Sequence, residues 1–186
     1  GKIVWVMGPS FAFDHDAREA FSKLIANGYA DALLAGNALA THDLEAAYLH
    51  TALGQNIYTQ EPQRNGHYNH LDTINCVKQC GSIPEFLRQE HIDNGIIWSC
   101  EQYHVPYVLA GSIRDDGPLP PVIGDVYSAQ DRMREEVKSA TTVLCLATTL
   151  HSIAVGNMTP SYRVMPDGKV REVYFYCVDI SEFTAN

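Results

Sequence analysis

Small and polar residues follow each of five short apolar runs along this chain. They are Gly8, Pro9 and Ser10 after the first run, Gly36, Asn37, Ala38 and Asp43 after the second, Gly111, Ser112, Asp115 and Asp116 after the third, Thr148 and Thr149 after the fourth, and Asp179 after the last. Small residues let the backbone approach phosphates, while hydroxyls and amides can hold a ribose and a ring. The set therefore indicates a nucleotide-cofactor site. The alternative is that these glycines and prolines only mark turns, and the chain has no GxGxxG fingerprint.

Two of these runs end in the same phrase, Leu-Ala-Gly followed by a small polar residue, at residues 34–37 and 109–112. In open α/β sheets, ligands bind in the crevice beyond the carboxyl ends of the strands. We therefore expect both phrases at one rim of a parallel sheet, facing one crevice. Because Asp115 and Asp116 are adjacent, we expect only one of them to face a ligand, and Arg114 to neutralise the other.

The elements that must position these residues alternate between short apolar strands and amphipathic helices. Strands are predicted at residues 2–7, 31–35, 107–110, 141–147 and 170–178. Helices are predicted at residues 14–27, 43–53, 70–79, 82–103, 125–139 and 148–157, and residues 55–67 form an exposed excursion. The helix at 125–139 would turn Tyr127, Met133 and Val137 toward the sheet. This alternation is typical of an α/β fold with a mostly parallel sheet of about five or six strands.

Length and composition limit the class of protein. A chain of 186 residues with 46% hydrophobic content is expected to form a single domain, residues 1–186, and its start at Gly1 suggests one domain of a longer protein. The net charge is -9, with 22 acids against 13 Lys and Arg, which argues against a non-specific nucleic-acid binder. No apolar run reaches the roughly 20 residues needed to cross a membrane. Five cysteines without a CxxC pair are expected to be reduced and mostly buried, as in a cytoplasmic protein.

Two histidine features allow other chemistry. His67, His70 and Asp72 lie close together, but no further ligand pair with zinc spacing accompanies them, so no metal is expected. We expect this segment to contact a ligand instead. His151 lies near a strand end, where it could shuttle protons or be a buried histidine held by a hydrogen bond.

Five longer blocks carry a resemblance to a known family. They are AGNALATHDLEAA, NGHYNHLDTIN, VLAGSIRDDGPLP, ATTVLCLATTLHSIAVGNMTPSY and VYFYCVDISEF. These blocks resemble the C-terminal half of the LOR/SDH conserved-region proteins. That family includes archaeal ornithine cyclodeaminases and the ornithine-cyclodeaminase half of cyanobacterial bifunctional arginine dihydrolases. The resemblance spans nearly all of the chain, and it implies a modified Rossmann-like, three-layer domain that binds NAD.

The resemblance also implies a reaction and a set of pocket residues. Ornithine would be oxidised at its α-carbon, cyclise with loss of ammonia and be reduced to proline, so the expected partner is a small amino-acid substrate. Matching motifs add Asn69, Asp72, Asn157 and Met158 to the cofactor-binding candidates, and Asp43, Asp115 and Asp116 are the candidate catalytic acids. One carboxylate would hold the substrate ammonium group and another would accept its proton. We also expect a homo-oligomer.

Two alternatives to the enzyme stay open. The domain could bind a nucleotide or an amino acid without turning it over, or it could be a scaffold for subunit contacts. The loop after the first strand bears on this choice, because the family has a glycine pair there and this chain has FAFDHD at residues 11–16. Bulk and negative charge would oppose a pyrophosphate at that loop.

Overall fold

The computed structural model describes residues 1–180, so the end of the last resemblance block, residues 181–183, lies outside the described part. Its strands are β1 (Ile3–Met7), β2 (Ala32–Gly36), β3 (Thr51–Ala52), β4 (Gln55–Asn56), β5 (Tyr107–Ala110), β6 (Thr142–Leu146), β7 (Tyr162–Val164), β8 (Val170–Glu172) and β9 (Tyr174–Val178). Its helices are α1 (His15–Ala26), α2 (Asn37–Leu49), α3 (Asn69–Cys80), α4 (Ile83–Gln89), α5 (Ile96–Gln102), α6 (Val126–Val137) and α7 (Thr149–Met158). Short 3-10 helices lie at Pro9–Phe13 and Gly66–Tyr68.

Five strands form one parallel sheet in the order β5-β2-β1-β6-β9. The chain first builds outward from β1 through β2 to β5, then returns to the other side of β1 with β6 and β9. The strand order therefore reverses between β1 and β6, which is the switch point of a doubly wound sheet. Gly36 at the end of β2 is in register with Ala110 at the end of β5. The two Leu-Ala-Gly phrases thus end at the same rim, as predicted.

Alternating strand residues build a core on each face of the sheet. Trp5, Met7 and Leu33 pack in a larger cluster with side chains of α1 to α5. Val4 and Val6 point the other way and pack with side chains of α6 and α7. Because both faces are covered, the strands are apolar at nearly every position, which is the pattern of a buried parallel sheet. The three-layer α/β prediction is confirmed. No helix within residues 1–180 is both long and apolar enough to span a bilayer.

Helix α2 begins at Asn37, directly after β2, and not at residue 43 as predicted. Most of its 13 residues are buried, including polar ones, so no amphipathic period marks where it starts. It also ends earlier than predicted, at Leu49, because His50 takes a left-handed conformation with φ 58°. Gly54, the predicted stop, lies instead in the turn between β3 and β4.

The predicted helix over residues 82–103 is two helices, α4 and α5. Gly95 separates them with φ 109° and ψ 169°, a backbone conformation essentially confined to glycine. A Cβ at this position would lie 2.7 Å from the Arg18 guanidinium and 3.1 Å from a carboxylate oxygen of Asp43. The break therefore places the start of α5 against a buried ion pair.

Two smaller expectations are also wrong, and a third holds for most of its residues. The last strand, predicted over residues 170–178, is two strands, because β8 pairs with β7 in a hairpin while β9 pairs with β6. Tyr127 is 77% exposed and does not face the sheet, unlike the buried Met133 and Val137 of the same helix. The predicted excursion at 55–67 is mostly exposed, but Ile57 within it is buried.

Candidate functional site

A cavity of about 640 Å³ lies at the carboxyl rim of the sheet. Its wall is formed by the ends of β2 and β5, the loop after β5, and parts of α2, α3, α6 and α7. Cavities of 300–1,000 Å³ are the usual size for small-molecule and cofactor sites. The rim where the sequence places a ligand is therefore an open cavity.

Ten of the predicted site residues line this cavity, from five separate chain segments. They are Pro9, Gly36, Asn37, Ala38, Gly111, Ser112, Asp115, Asp116, Thr148 and Met158. The fold thus brings together segments that are distant in the sequence. Their contact with a ligand stays a prediction.

Eight predicted site residues do not line the cavity: Gly8, Ser10, Asp43, Asn69, Asp72, Thr149, Asn157 and Asp179. Gly8 shows why a glycine can be required without a ligand. Its N–H donates to the Leu146 carbonyl at 2.9 Å, and a Cβ here would fall 1.9 Å from the Ala147 carbonyl oxygen. The glycine after β1 therefore allows the backbone to approach β6.

Asp43 is fully buried and its carboxylate is occupied by protein donors. Oδ1 accepts from Arg18 Nε at 2.8 Å and from the Ile96 amide at 3.0 Å, and Oδ2 accepts from the Ile97 amide at 2.8 Å. The Arg18 guanidinium also donates to the Asp43 carbonyl at 3.1 Å. These contacts tie α1 and α2 to the start of α5. They favour a structural role for Asp43 over the predicted catalytic one.

The loop after β5 carries both predicted acids, and both line the cavity. Asp115 Oδ2 accepts from the Ser112 amide at 2.8 Å, and Asp116 Oδ2 lies 2.8 Å from His70 Nε2. The expectation that only one acid faces the cavity is wrong, because this segment is a tight turn and not a strand. Arg114 does not neutralise either acid: its guanidinium forms no ion pair within residues 1–180, and it too lines the cavity.

Asn37 joins the start of α2 to the same loop. Its Nδ2 donates to the Gly117 carbonyl at 3.1 Å, and its Oδ1 accepts from the Leu119 amide at 3.0 Å. Both ends of the side-chain amide are therefore used by the protein. Asn37 shapes the cavity by holding the loop in place.

His42 and Glu45, which the sequence analysis does not select, form a buried pair beside the cavity. His42 Nδ1 lies 2.8 Å from Glu45 Oε2, and Thr51 donates to Glu45 Oε1 at 2.7 Å. His42 lines the cavity, and Glu45 behind it has no exposed surface. Their spacing of three residues on a helix could have pointed to this pair. The pair is not selected from the sequence because the predicted helix begins at residue 43, one residue after His42.

Two polar atoms in the cavity wall are buried without a hydrogen-bond partner among the described residues. They are Thr41 Oγ1 and His70 Nδ1. A buried polar group without a partner is costly, about 1–3 kcal/mol, so such groups are common where a ligand supplies the missing bond. These two atoms favour a polar ligand in this part of the cavity.

His151 lines the opposite part of the cavity, on α7. Burial lowers the pKa of His151 below its ordinary value of 6.5, which keeps the ring neutral at neutral pH. A Cβ on Gly36 would lie 3.2 Å from Cε1 of this ring, so the glycine provides the room for it. His151 has no hydrogen bond among residues 1–180 and does not match the alternative of a core histidine held by one.

Helix N-termini show where a cofactor phosphate could be held. The N-terminus of helix α1 is capped by Asp14, whose carboxylate accepts from the Ala17 amide at 2.8 Å. Helices α2 and α7 begin in the cavity wall and carry no side-chain cap. The first-turn amides of a helix favour an anion. The residues at the first turns of α2 and α7 therefore fit an anionic cofactor group, whereas the FAFDHD segment after β1 carries bulk and negative charge that would oppose one.

The histidine-rich segment after β4 does not gather metal ligands. Among residues 1–180, the group whose ligand atoms lie close enough to share an ion is His15, Asp16 and Glu19 on the surface of α1. His67, His70 and Asp72 do not form such a group. His70 serves instead as a cavity residue paired with Asp116.

Comparison with known proteins adds the following. Residues 1–184 match the family described as "Arginine dihydrolase ArgZ-like, C-terminal, Rossmann fold". An ornithine cyclodeaminase from Methanopyrus kandleri is 47% identical over 181 residues, which cover 97% of this chain and 41% of that protein. The chain thus spans about two-fifths of the length of such archaeal relatives.

Two solved structures resemble the whole chain. A LOR/SDH protein from Methanococcus maripaludis S2 superimposes with a TM-score of 0.89 at 42% identity, covering 100% of this chain and 52% of that one. The ternary complex of AgrE with ornithine and NAD+ superimposes with a TM-score of 0.88 at 39% identity, covering 99% of this chain and 26% of that one.

Proposed function

This chain belongs to the ArgZ-like C-terminal Rossmann-fold family, and from that membership we propose that it is the NAD-binding domain of an ornithine cyclodeaminase-like enzyme. The enzyme would convert ornithine to proline and ammonia. The observation that carries the proposal is the cavity of about 640 Å³ at the carboxyl rim of the parallel sheet. The related AgrE, which was solved with ornithine and NAD+, supports the same pairing of cofactor and substrate.

The cavity wall offers separate groups for the parts of the cofactor. The uncapped first turns of α2 and α7 would hold its phosphates, because their amides point positive partial charge into the cavity. Gly36 leaves room for the His151 ring in the wall, which a Cβ would approach to 3.2 Å, and Gly111 lets the backbone pass close to Ile123 and Gly124.

The loop after β5 offers groups for the amino acid. When bound, NAD would accept a hydride from the α-carbon of ornithine and return it after cyclisation and loss of ammonia. Arg114, without an ion-pair partner among residues 1–180, would bind the substrate carboxylate. Asp115 or Asp116 would hold an ammonium group of ornithine. The cavity also supplies apolar walls, among them Ile74 and Met133, that would exclude water.

The remaining proposals concern the setting of the domain. We propose that residues 1–186 form one domain within a longer cytoplasmic protein. The matched share of its relatives supports the first part, and five free cysteines, with no disulfide among them, support a reducing compartment. A homo-oligomer stays a prediction.

Calorimetry with NAD+ tests the cofactor site. Ala38→Glu places a carboxylate in the first turn of α2, where it would repel the cofactor phosphates and weaken binding at least tenfold, or about 1.4 kcal/mol. Ala20→Glu is the matched control, because it adds the same charge on the exposed part of α1, outside the cavity. Equal NAD+ affinity in both variants would place the cofactor elsewhere. Absence of binding to the wild type would remove the proposal.

Turnover tests the enzyme. The complete gene product that carries this chain should release one ammonia and one proline for each ornithine consumed, with no net change in NAD+. Binding of NAD+ without ammonia or proline from any amino acid would favour the domain that binds without turning over.

A further inference from the structure

The pair formed by His42 and Glu45 has the arrangement of an oriented base. Glu45 has no exposed surface and His42 is 7% exposed, at the cavity wall. The two side chains are joined through Nδ1 of the imidazole at 2.8 Å. A carboxylate has no proton to donate, so Nδ1 carries the proton and Nε2 keeps its lone pair.

The carboxylate of Glu45 is itself fixed by further polar groups. Thr51 donates its hydroxyl proton to Glu45 Oε1 at 2.7 Å, and Asn69 Nδ2 donates to Thr51 Oγ1 at 2.8 Å. Both carboxylate oxygens of Glu45 are thus engaged in hydrogen bonds. The chain of bonds holds the imidazole in one orientation, because its members are buried or half-buried and join α2 to β3 and α3.

The surroundings of His42 leave Nε2 accessible to a ligand. The ring of Phe13 packs edge-on against the imidazole with centroids 5.4 Å apart, and the His70 ring lies at 6.0 Å. His70 is engaged with Asp116 through its own Nε2. Glu45, His70 and Asp116 are therefore the titratable groups facing His42 from α2, α3 and the loop after β5. No residue within 1–180 forms a hydrogen bond with His42 Nε2.

We propose that His42 is the base that takes a proton from the α-ammonium group of the amino-acid substrate, with Glu45 as its positioning residue. This inference rests on the proposed function. The ammonium N–H bond breaks, its electron pair stays on nitrogen, and the proton forms a bond to Nε2. The substrate nitrogen is then neutral and its lone pair can support oxidation of the α-carbon, for which NAD+ is the oxidant. The imidazolium left behind is balanced by the Glu45 carboxylate.

Other candidate bases in the cavity are less suited to this step. Asp115 accepts from the Ser112 amide, and Asp116 is engaged with His70 and is 60% exposed in its side chain. His151 has no carboxylate partner among the described residues to balance an added charge. His42 alone among these four combines a place in the wall with a buried carboxylate behind it.

His42→Gln in the complete gene product tests the base. We expect kcat for proline formation to fall about 100- to 10,000-fold, the usual contribution of a positioned base, with NAD+ affinity within about twofold of the wild type. His104→Gln is the control, since this exposed histidine precedes β5 at the opposite rim of the sheet. Unfolding midpoints of both variants check that the chain still folds.

Glu45→Gln tests the positioning residue. A glutamine can donate to Nδ1, which permits the tautomer with the proton on Nε2, so kcat should fall. Loss of the carboxylate also removes the charge that would balance an imidazolium, so kcat should fall while NAD+ affinity stays within about twofold of the wild type. A merely structural role would lower both together. Glu172→Gln, on the exposed strand β8, is the matched control.

Nitrogen NMR of histidine-labelled protein without cofactor gives a readout that does not need activity. We expect His42 as the Nδ1–H tautomer in the wild type and a loss of that preference in Glu45→Gln. An Nε2–H tautomer in the wild type would overturn the inference.

Two outcomes distinguish failure of the His42 assignment from failure of the proposed function. An active wild type with an equally active His42→Gln variant removes His42 as the base and leaves the proposed function standing. A wild type that binds NAD+ but never releases ammonia removes the proposed function, and the assignment of His42 with it.

Discussion

Replacement of Asp43 by asparagine separates a structural role from a catalytic one. The side chains of Arg18 and Asp43 are only 3% and 1% exposed, so solvent cannot replace the lost charge. Asparagine keeps the size of the side chain but leaves the guanidinium buried without a counter-charge. Its single carbonyl oxygen also cannot serve both Ile96 and Ile97 in the way that two carboxylate oxygens do.

The expected loss is large relative to the stability of a domain. Removing one partner of a buried ion pair costs about 3–5 kcal/mol, out of a total of about 5–15 kcal/mol for a typical protein. With a urea m-value of about 2 kcal/mol per M, the unfolding midpoint should fall by about 2 M. Tryptophan fluorescence can follow this transition, because Trp5 and Trp98 lie in or against the core.

An exposed aspartate, Asp93, provides the matched control for this test. Asp93→Asn removes the same charge at an exposed position close to α5 and should shift the midpoint by no more than about 0.5 kcal/mol in free energy. The fraction of Asp43→Asn that stays folded should bind NAD+ with wild-type affinity. If instead this variant keeps its stability within about 1 kcal/mol and loses turnover, the structural assignment is wrong and Asp43 acts on the substrate.

Further predictions concern other parts of the molecule. Gly95→Ala should destabilise the fold by about 1–3 kcal/mol in urea unfolding, because its φ of 109° is strained for alanine and the new Cβ would lie 2.7 Å from a guanidinium nitrogen. His151 is half-buried and its partial burial lowers its pKa, so the unfolded chain binds more protons and stability should fall as the pH drops below about 6.5. His151→Gln should remove that part of the slope between pH 7 and pH 5. Burial raises the pKa of Cys145 to about 12, so mass spectrometry after brief alkylation of the native protein at pH 8 should find Cys145 unmodified and the half-exposed Cys80 modified.

The rim of the sheet could be predicted because its signals are local. Each parallel strand is a short apolar run that ends in a small or polar residue, and the repeat of Leu-Ala-Gly predicts two neighbouring strands, which pair in the structure as β2 and β5. The cap at Asp14 is also local, since its carboxylate accepts from the amide three residues ahead. Such signals involve residues close together in the sequence and do not depend on tertiary packing, so they can be predicted from the sequence.

The buried polar groups could not be predicted in the same way. Helix α2 is enclosed on nearly all sides, so its hydrophobic period does not show which of its polar residues face a cavity and which face an ion pair. Asp43 and His42 are adjacent in the sequence, yet one meets Arg18 and the other meets Glu45 beside the cavity. Only the packing of α1 and α5 around α2 decides between these environments.

The two hydrogen bonds of Asn37 have a further consequence for recognition. Because one amide spans from the first turn of α2 to Gly117 and Leu119, the two sides of the cavity are tied together before any ligand arrives. A ligand that enters does not have to order this loop, and little conformational entropy is lost on binding. Selectivity then comes from complementarity to a rigid opening, and poorly fitting molecules are excluded by shape.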